Sequence, residues 1–155
     1  MHTSYIVSTA VLVLVVLAFF ALTRGRLRQF GRTQWVLRVL AALPLAVSSI
    51  GHFAWTAMFA SIIPPAFSHA EFWVILTGIF ELAGAIGLLL PKTARAAAVG
   101  VALLMIAIFP ANVYAAGRSV GGLHMPGVPV RLAMQVVYIL VVLLAGWGIP
   151  SRARI

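Results

Sequence analysis

The chain has no cysteine, and only two of its 155 residues are acidic, Glu71 and Glu81. Without a thiol it forms no disulfide of its own, offers no thiolate to a metal and relays no thiol chemistry. Charged residues make up 8% of the chain, against about a quarter in a soluble domain. That is too few to build a water-facing shell. Glycine-rich phosphate fingerprints are missing as well, so nothing in the sequence provides for haem, flavin or an iron–sulfur cluster. The four histidines, His2, His52, His69 and His124, show no H-x-x-x-H or H-E-x-x-H spacing, and no metal site is expected.

What is present is hydrophobic, 63% of the residues, and that composition defines an integral membrane protein. The formal net charge is +9. In a soluble chain such a charge would point to nucleic acid. Here the basic residues fall between apolar runs and read as a topology signal, so no nucleic-acid partner is expected.

Five apolar segments approach the roughly 20 residues that a helix needs to cross a bilayer: 5–23, 36–60, 72–90, 96–116 and 130–149. The first has no basic residue before it and is longer than the apolar centre of a signal peptide, so it reads as a retained helix. The fold expected is all-α. A four-helix transmembrane bundle occupies residues 34–155, and an additional N-terminal transmembrane helix with a basic connection occupies 1–33, giving five spans. With the N-terminus outside, Arg24, Arg26, Arg28, Arg32, Arg38, Lys92, Arg95, Arg152 and Arg154 are cytoplasmic. Only Arg118 and Arg131 fall outside, a clear positive-inside bias. The C-terminus is then cytoplasmic, and the expected location is a bacterial inner membrane.

Two connections face outward in this orientation. "FASIIPPAFSHAEFW" contains Pro64 and Pro65, which stop a helix, yet it stays apolar and is expected to lie at the membrane surface or fold back over the bundle. Glycines and prolines make "AGRSVGGLHMPGVPV" a loop. Ser68 and Glu71 have the spacing of a capping box for the third segment. Trp35, Trp73 and Trp147 stand at segment ends, where indoles anchor to headgroups.

Glu81 lies within an apolar run, where a charged carboxylate costs about 2.5–3.5 kcal/mol on insertion scales. It must be neutral, paired or turned into the bundle. Gly78 and Gly84 share its helix face and let a neighbouring helix approach. His52 in the second segment stands within ~5 Å of the same depth at 1.5 Å per residue, close enough to meet Glu81 directly or through a water. Pro110 in the fourth segment frees the Ile106 carbonyl, and Asn112 either lines a site or satisfies backbone near that kink. The fifth segment carries Arg131, Gln135 and Tyr138 at i, i+4, i+7, one polar stripe, from which Arg131 or Gln135 is expected to reach Glu81. These six residues, His52, Glu81, Asn112, Arg131, Gln135 and Tyr138, form an expected ligand pocket. Glu81 as interhelical glue is the structural alternative.

An ordered set of short motifs, "HF" at 52–53, "IIPP" at 62–65, "G-x-x-E" at 78–81, "PKTAR" at 91–95 and "FPAN" at 109–112, resembles the DoxX-like membrane proteins over about residues 45–148. The resemblance implies a four-helix membrane bundle. That family takes its name from subunits of a thiosulfate:quinone oxidoreductase, and other members are linked to thiol redox stress or act as accessory subunits. It makes His52, Glu81 and Asn112 family pattern positions without assigning them chemistry. The first helix is then an addition that wraps the bundle or makes an oligomer contact.

The function expected is redox-associated, with a quinone or similar lipophilic molecule held in the polar pocket and a membrane oxidoreductase partner supplying electrons. The alternatives are an accessory or scaffold subunit without chemistry, a small-solute or proton transporter, and an enzyme using His52 and Glu81 as acid and base on a lipophilic substrate. Expected partners are the lipid bilayer, the lipophilic molecule, that oxidoreductase and further copies of the chain.

Overall fold

A computed structural model describes residues 2–23, 27–28 and 31–150. Four of the nine basic residues assigned to the cytoplasmic side, Arg24, Arg26, Arg152 and Arg154, lie outside the described residues.

The chain is helical: α1 (His2–Thr23), α2 (Gly31–Ala54), α3 (Thr56–Ala60), α4 (Ala70–Leu89), α5 (Ala94–Ala115) and α6 (Val128–Trp147). Two short antiparallel pairs join β1 (Leu27–Arg28) to β4 (Ile149–Pro150), and β2 (Ser119–Val120) to β3 (Leu123–His124). Among the described residues, α2, α4, α5 and α6 are each long and apolar enough to cross a membrane. The corresponding apolar stretch of α1, Ile6–Phe19, is shorter than a full span.

The four long helices form a closed ring: α2 packs on α4, α4 on α5, α5 on α6 and α6 on α2. Alanines at 41, 42, 85, 98, 102 and 145 are buried where the helices meet. Without a hydrophobic force between helices in lipid, small residues of this kind allow the backbones to approach and gain packing. Large apolar side chains such as Leu40, Ile50, Ile79 and Met134 point outward. The helix α1 lies outside the ring against α5 and α6, with Leu12 fully buried. Of the two roles expected for the first helix, the contacts show it packed on its own bundle.

The second apolar segment is not one helix. Thr56 turns its hydroxyl onto the His52 carbonyl at 2.7 Å, and α2 breaks at Trp55. A side chain that bonds the preceding turn competes with the helix ladder. The short α3 then runs over the end of the bundle, and the apolar stretch 61–67 folds back with it.

The expected capping box does not form. α4 starts at Ala70 with His69 as N-cap in the left-handed region, and no side-chain cap bond is made. The Ser68 carbonyl instead accepts the Trp73 indole N–H at 3.1 Å. The loop 116–127 holds a hairpin that the sequence reading missed. Gly121 and Gly122, at φ 56° and 81°, supply the two positive-φ positions of its turn, and the Gly-Gly pair was the signal for it. Gly121 rests on the Met58 sulfur, so the hairpin braces α3.

At the other end of the bundle, α2 caps α6. Gln34 Nε2 donates to the carbonyls of Leu144, at 2.8 Å, and Ala145, and Arg38 Nε donates to Ala145 at 3.3 Å. Both side chains are buried, 3% and 6% exposed. The last carbonyls of a helix have no partner within it, and a guanidinium there also suits the negative end of the helix dipole. Arg38, expected as a cytoplasmic topology charge, is therefore a buried helix cap.

Candidate functional site

The end of the bundle under α3 encloses a cavity of about 210 Å³ between α2, α4 and α5. Its floor and walls carry Ser48 and His52 from α2, Val74, Thr77 and Glu81 from α4, and Pro110 and Asn112 from α5. Phe59, Ile62, Ile63, Pro64 and Phe67 close it from above. The stretch expected to lie at the surface or fold back is thus a lid.

His52 is held by its backbone neighbours. Its Nδ1 lies 2.7 Å from the Val74 carbonyl and 3.2 Å from the Thr77 hydroxyl oxygen. A carbonyl only accepts, so Nδ1 carries a proton. Thr77 donates in turn to the carbonyls of Trp73 and Val74, at 2.8 and 3.0 Å. The Phe59 ring lies against the imidazole, centroids 4.6 Å apart. Close helix approach makes this possible: a Cβ on Gly78 would stand 2.8 Å from the His52 Cβ. Ser49 adds a bond from α2 to the Gly78 carbonyl at 2.8 Å.

With Nδ1 committed, Nε2 faces Glu81 Oε2 at 3.8 Å. Glu81 is 3% exposed and His52 9%. Ser48 lines the same cavity, and Glu81 Oε2 is buried without a hydrogen-bond partner. An imidazole nitrogen and a carboxyl oxygen, both groups able to give or take a proton, thus face each other. A gap of 3.8 Å is wider than a direct hydrogen bond and suits a polar atom set between the two.

The remaining candidate residues are placed differently. Arg131 Nη1 donates to Asn112 Oδ1 at 2.6 Å, Asn112 Nδ2 to Gln135 Oε1 at 3.3 Å, and Gln135 Nε2 to the Met105 carbonyl. Tyr138 donates to the Ala41 carbonyl at 2.6 Å. Neither Arg131 nor Gln135 reaches Glu81. Asn112 borders the cavity, whereas Arg131, Gln135 and Tyr138 do not line it. Backbone near the Pro110 kink is met by Gln135, at Met105, and not by Asn112 at Ile106. Tyr138 does the same one residue beyond Leu40, whose carbonyl Pro44 leaves without its helical donor. The stripe on α6 is real but serves the backbones of α5 and α2. Sequence reasoning also missed Thr77, which sits four residues before Glu81 and orients the imidazole.

Tyr138→Phe should therefore lower bundle stability by roughly 0.6–1.7 kcal/mol, the span measured for interhelical hydrogen bonds in membranes. Reversible unfolding in mixed micelles measures it, and an unchanged midpoint would mean that the Ala41 bond contributes nothing.

The fold and this buried acid–imidazole pair define the class: a helical bundle with four helices able to cross a membrane and a small polar cavity at one end. The chain belongs to the family described as Domain of unknown function (DUF8561), whose sequence model matches residues 40–145. The match runs from within α2 to the last turn of α6. No curated protein and no solved structure matches the chain.

Proposed function

We propose that this is a DoxX-like, redox-associated protein of a bacterial inner membrane that holds the headgroup of a quinone or similar lipophilic molecule in the cavity beneath α3. The observation that carries the reading is the His52–Glu81 pair. An imidazole nitrogen and a carboxyl oxygen stand 3.8 Å apart at the wall of a small, largely apolar cavity. Drug-sized pockets usually measure about 300–1,000 Å³, so a cavity of about 210 Å³ suits a single ring rather than a whole prenylated molecule.

Reducing a quinone to a hydroquinone takes two electrons and two protons. The pair can give one proton to the oxygen that faces it, from the imidazolium or from the acid, and is recharged from the outer aqueous side. The second proton reaches the far oxygen from solvent. A partner oxidoreductase supplies the electrons, since the chain has no cysteine to relay them. Gentle purification followed by mass spectrometry of bound small molecules tests this. A quinone recovered in near-equal amount with the protein is the expected result. Its absence, with partner proteins copurifying, would favour an accessory subunit instead, a reading consistent with Arg131, Gln135 and Tyr138 being engaged in packing.

In this reading α1 crosses the membrane as a fifth span, the N-terminus and the hairpin lie outside, and the C-terminus is cytoplasmic. Because the natural chain has no cysteine, single cysteines report topology without background. Ser119→Cys should react with an impermeant maleimide added to intact cells, and Thr93→Cys should react only after lysis. The reverse pattern would invert the orientation.

A further inference from the structure

We propose that the cavity continues into a groove between α4 and α5, and that the two together hold one single-chain amphiphile. Its head meets His52 and Glu81, and its tail lies along the helices. The inference rests on the reading that the cavity takes a lipophilic ligand, and adds that the ligand has a tail and where the tail goes.

The groove measures about 500 Å³ and is bordered by Phe80, Ala83, Gly84, Gly100, Leu104 and Ala107 among others, all apolar. Ala107 borders the cavity as well, so the two spaces adjoin at that residue. On α4, Gly84 follows Glu81 by three residues and so lies one turn along the same face. On α5 the groove runs from Ala97 to Ala107, ~15 Å at 1.5 Å per residue, the length of a medium alkyl chain. The space is left open by the sequence: a Cβ on Gly100 would meet nothing within 4 Å. No polar atom in its lining needs a partner, which suits an alkyl chain. The head lies toward the end of the bundle covered by α3, and the tail runs from there past the midpoint of α5 toward its start, with Ala97 three residues from Ala94.

Two dodecylresorcinol probes test this with the full chain in nanodiscs. One carries a diazirine on the first tail carbon, the other on the last. Resorcinol offers ring hydroxyls like a hydroquinone and is not redox-active under these conditions. The first-carbon probe should label residues 73–81 and the lid 62–67. The last-carbon probe should label residues 80–84 and 97–104. Gly100→Leu, which fills the groove in open space, should reduce the second pattern several-fold and leave the first unchanged. Last-carbon labelling spread over outward-facing Leu40, Ile50 and Met134, with the first-carbon pattern intact, would overturn the groove while the cavity reading stands. First-carbon labelling absent from the cavity would overturn both.

Discussion

Glu81→Gln should leave the bundle assembled and weaken binding of a short-tailed quinone by roughly one to two orders of magnitude. The assembly half follows from the surroundings of the carboxylate. Oε2 is buried without a hydrogen-bond partner, and His52 is held independently by the Val74 carbonyl, so a neutral amide of the same shape breaks no bond that holds α2 to α4. The binding half follows from chemistry. A hydrogen bond to a charged group is worth about 1.5–3 kcal/mol, or roughly 10–100-fold in affinity, and an amide cannot recharge the imidazole with a proton. Titration in nanodiscs, following quenching of the Trp73 indole that lines the cavity, reads the affinity. Size-exclusion and thermal unfolding read assembly. Unchanged affinity would make Glu81 interhelical glue, and loss of assembly together with binding would do the same.

Gly78→Leu should destabilise the bundle and open the site between α2 and α4. Leucine in place of glycine gains about 1 kcal/mol of helix propensity. Overpacking a filled site costs about 1–3 kcal/mol and occasionally more. At Gly78 the second effect wins, because even the first added carbon stands 2.8 Å from His52 Cβ and 3.3 Å from its ring. The neighbour is the stem of a side chain fixed at Nδ1, which has nowhere to go without giving up the Val74 bond. α2 must move away from α4, and the acid–imidazole pair opens with it. Gly100→Leu is the control, since the same gain in propensity meets empty space there. The expected outcome is a chain with Gly78→Leu that unfolds at lower denaturant and binds no quinone, beside a chain with Gly100→Leu as stable as the natural one. Equal stability of the two would remove the close contact as the determinant of the site.

Four of the five expected spans were legible as long apolar helices, because a bilayer imposes length and apolarity on every crossing helix, and Glu81 was legible because a carboxylate in such a run requires a reason. His52 followed from depth alone. The rotation of each helix about its axis was not legible. Residues at i, i+4, i+7 are known to share a face, but not which neighbour that face meets. Arg131, Gln135 and Tyr138 therefore read equally well as a pocket wall or as bonds to the α5 and α2 backbones, and packing chose the second. The lid was hidden for a different reason. Residues 55–67 are as apolar as the span before them, and the break at Trp55 depends on one hydroxyl, that of Thr56, turning back onto the helix.

Several of the bonds between helices converge on the last one. Gln135 and Tyr138 of α6 donate to α5 and α2, and the end of α6 accepts from Gln34 and Arg38. In a nascent chain made from its N-terminus, Gln34 and Arg38 of α2 and Asn112 of α5 find these partners only when α6 arrives. Biogenesis then has a built-in order. The partly made protein stays loose, the final helix acts as the clasp, and a ribosome that stops before Val128 leaves a product that membrane quality control can distinguish by its open polar groups.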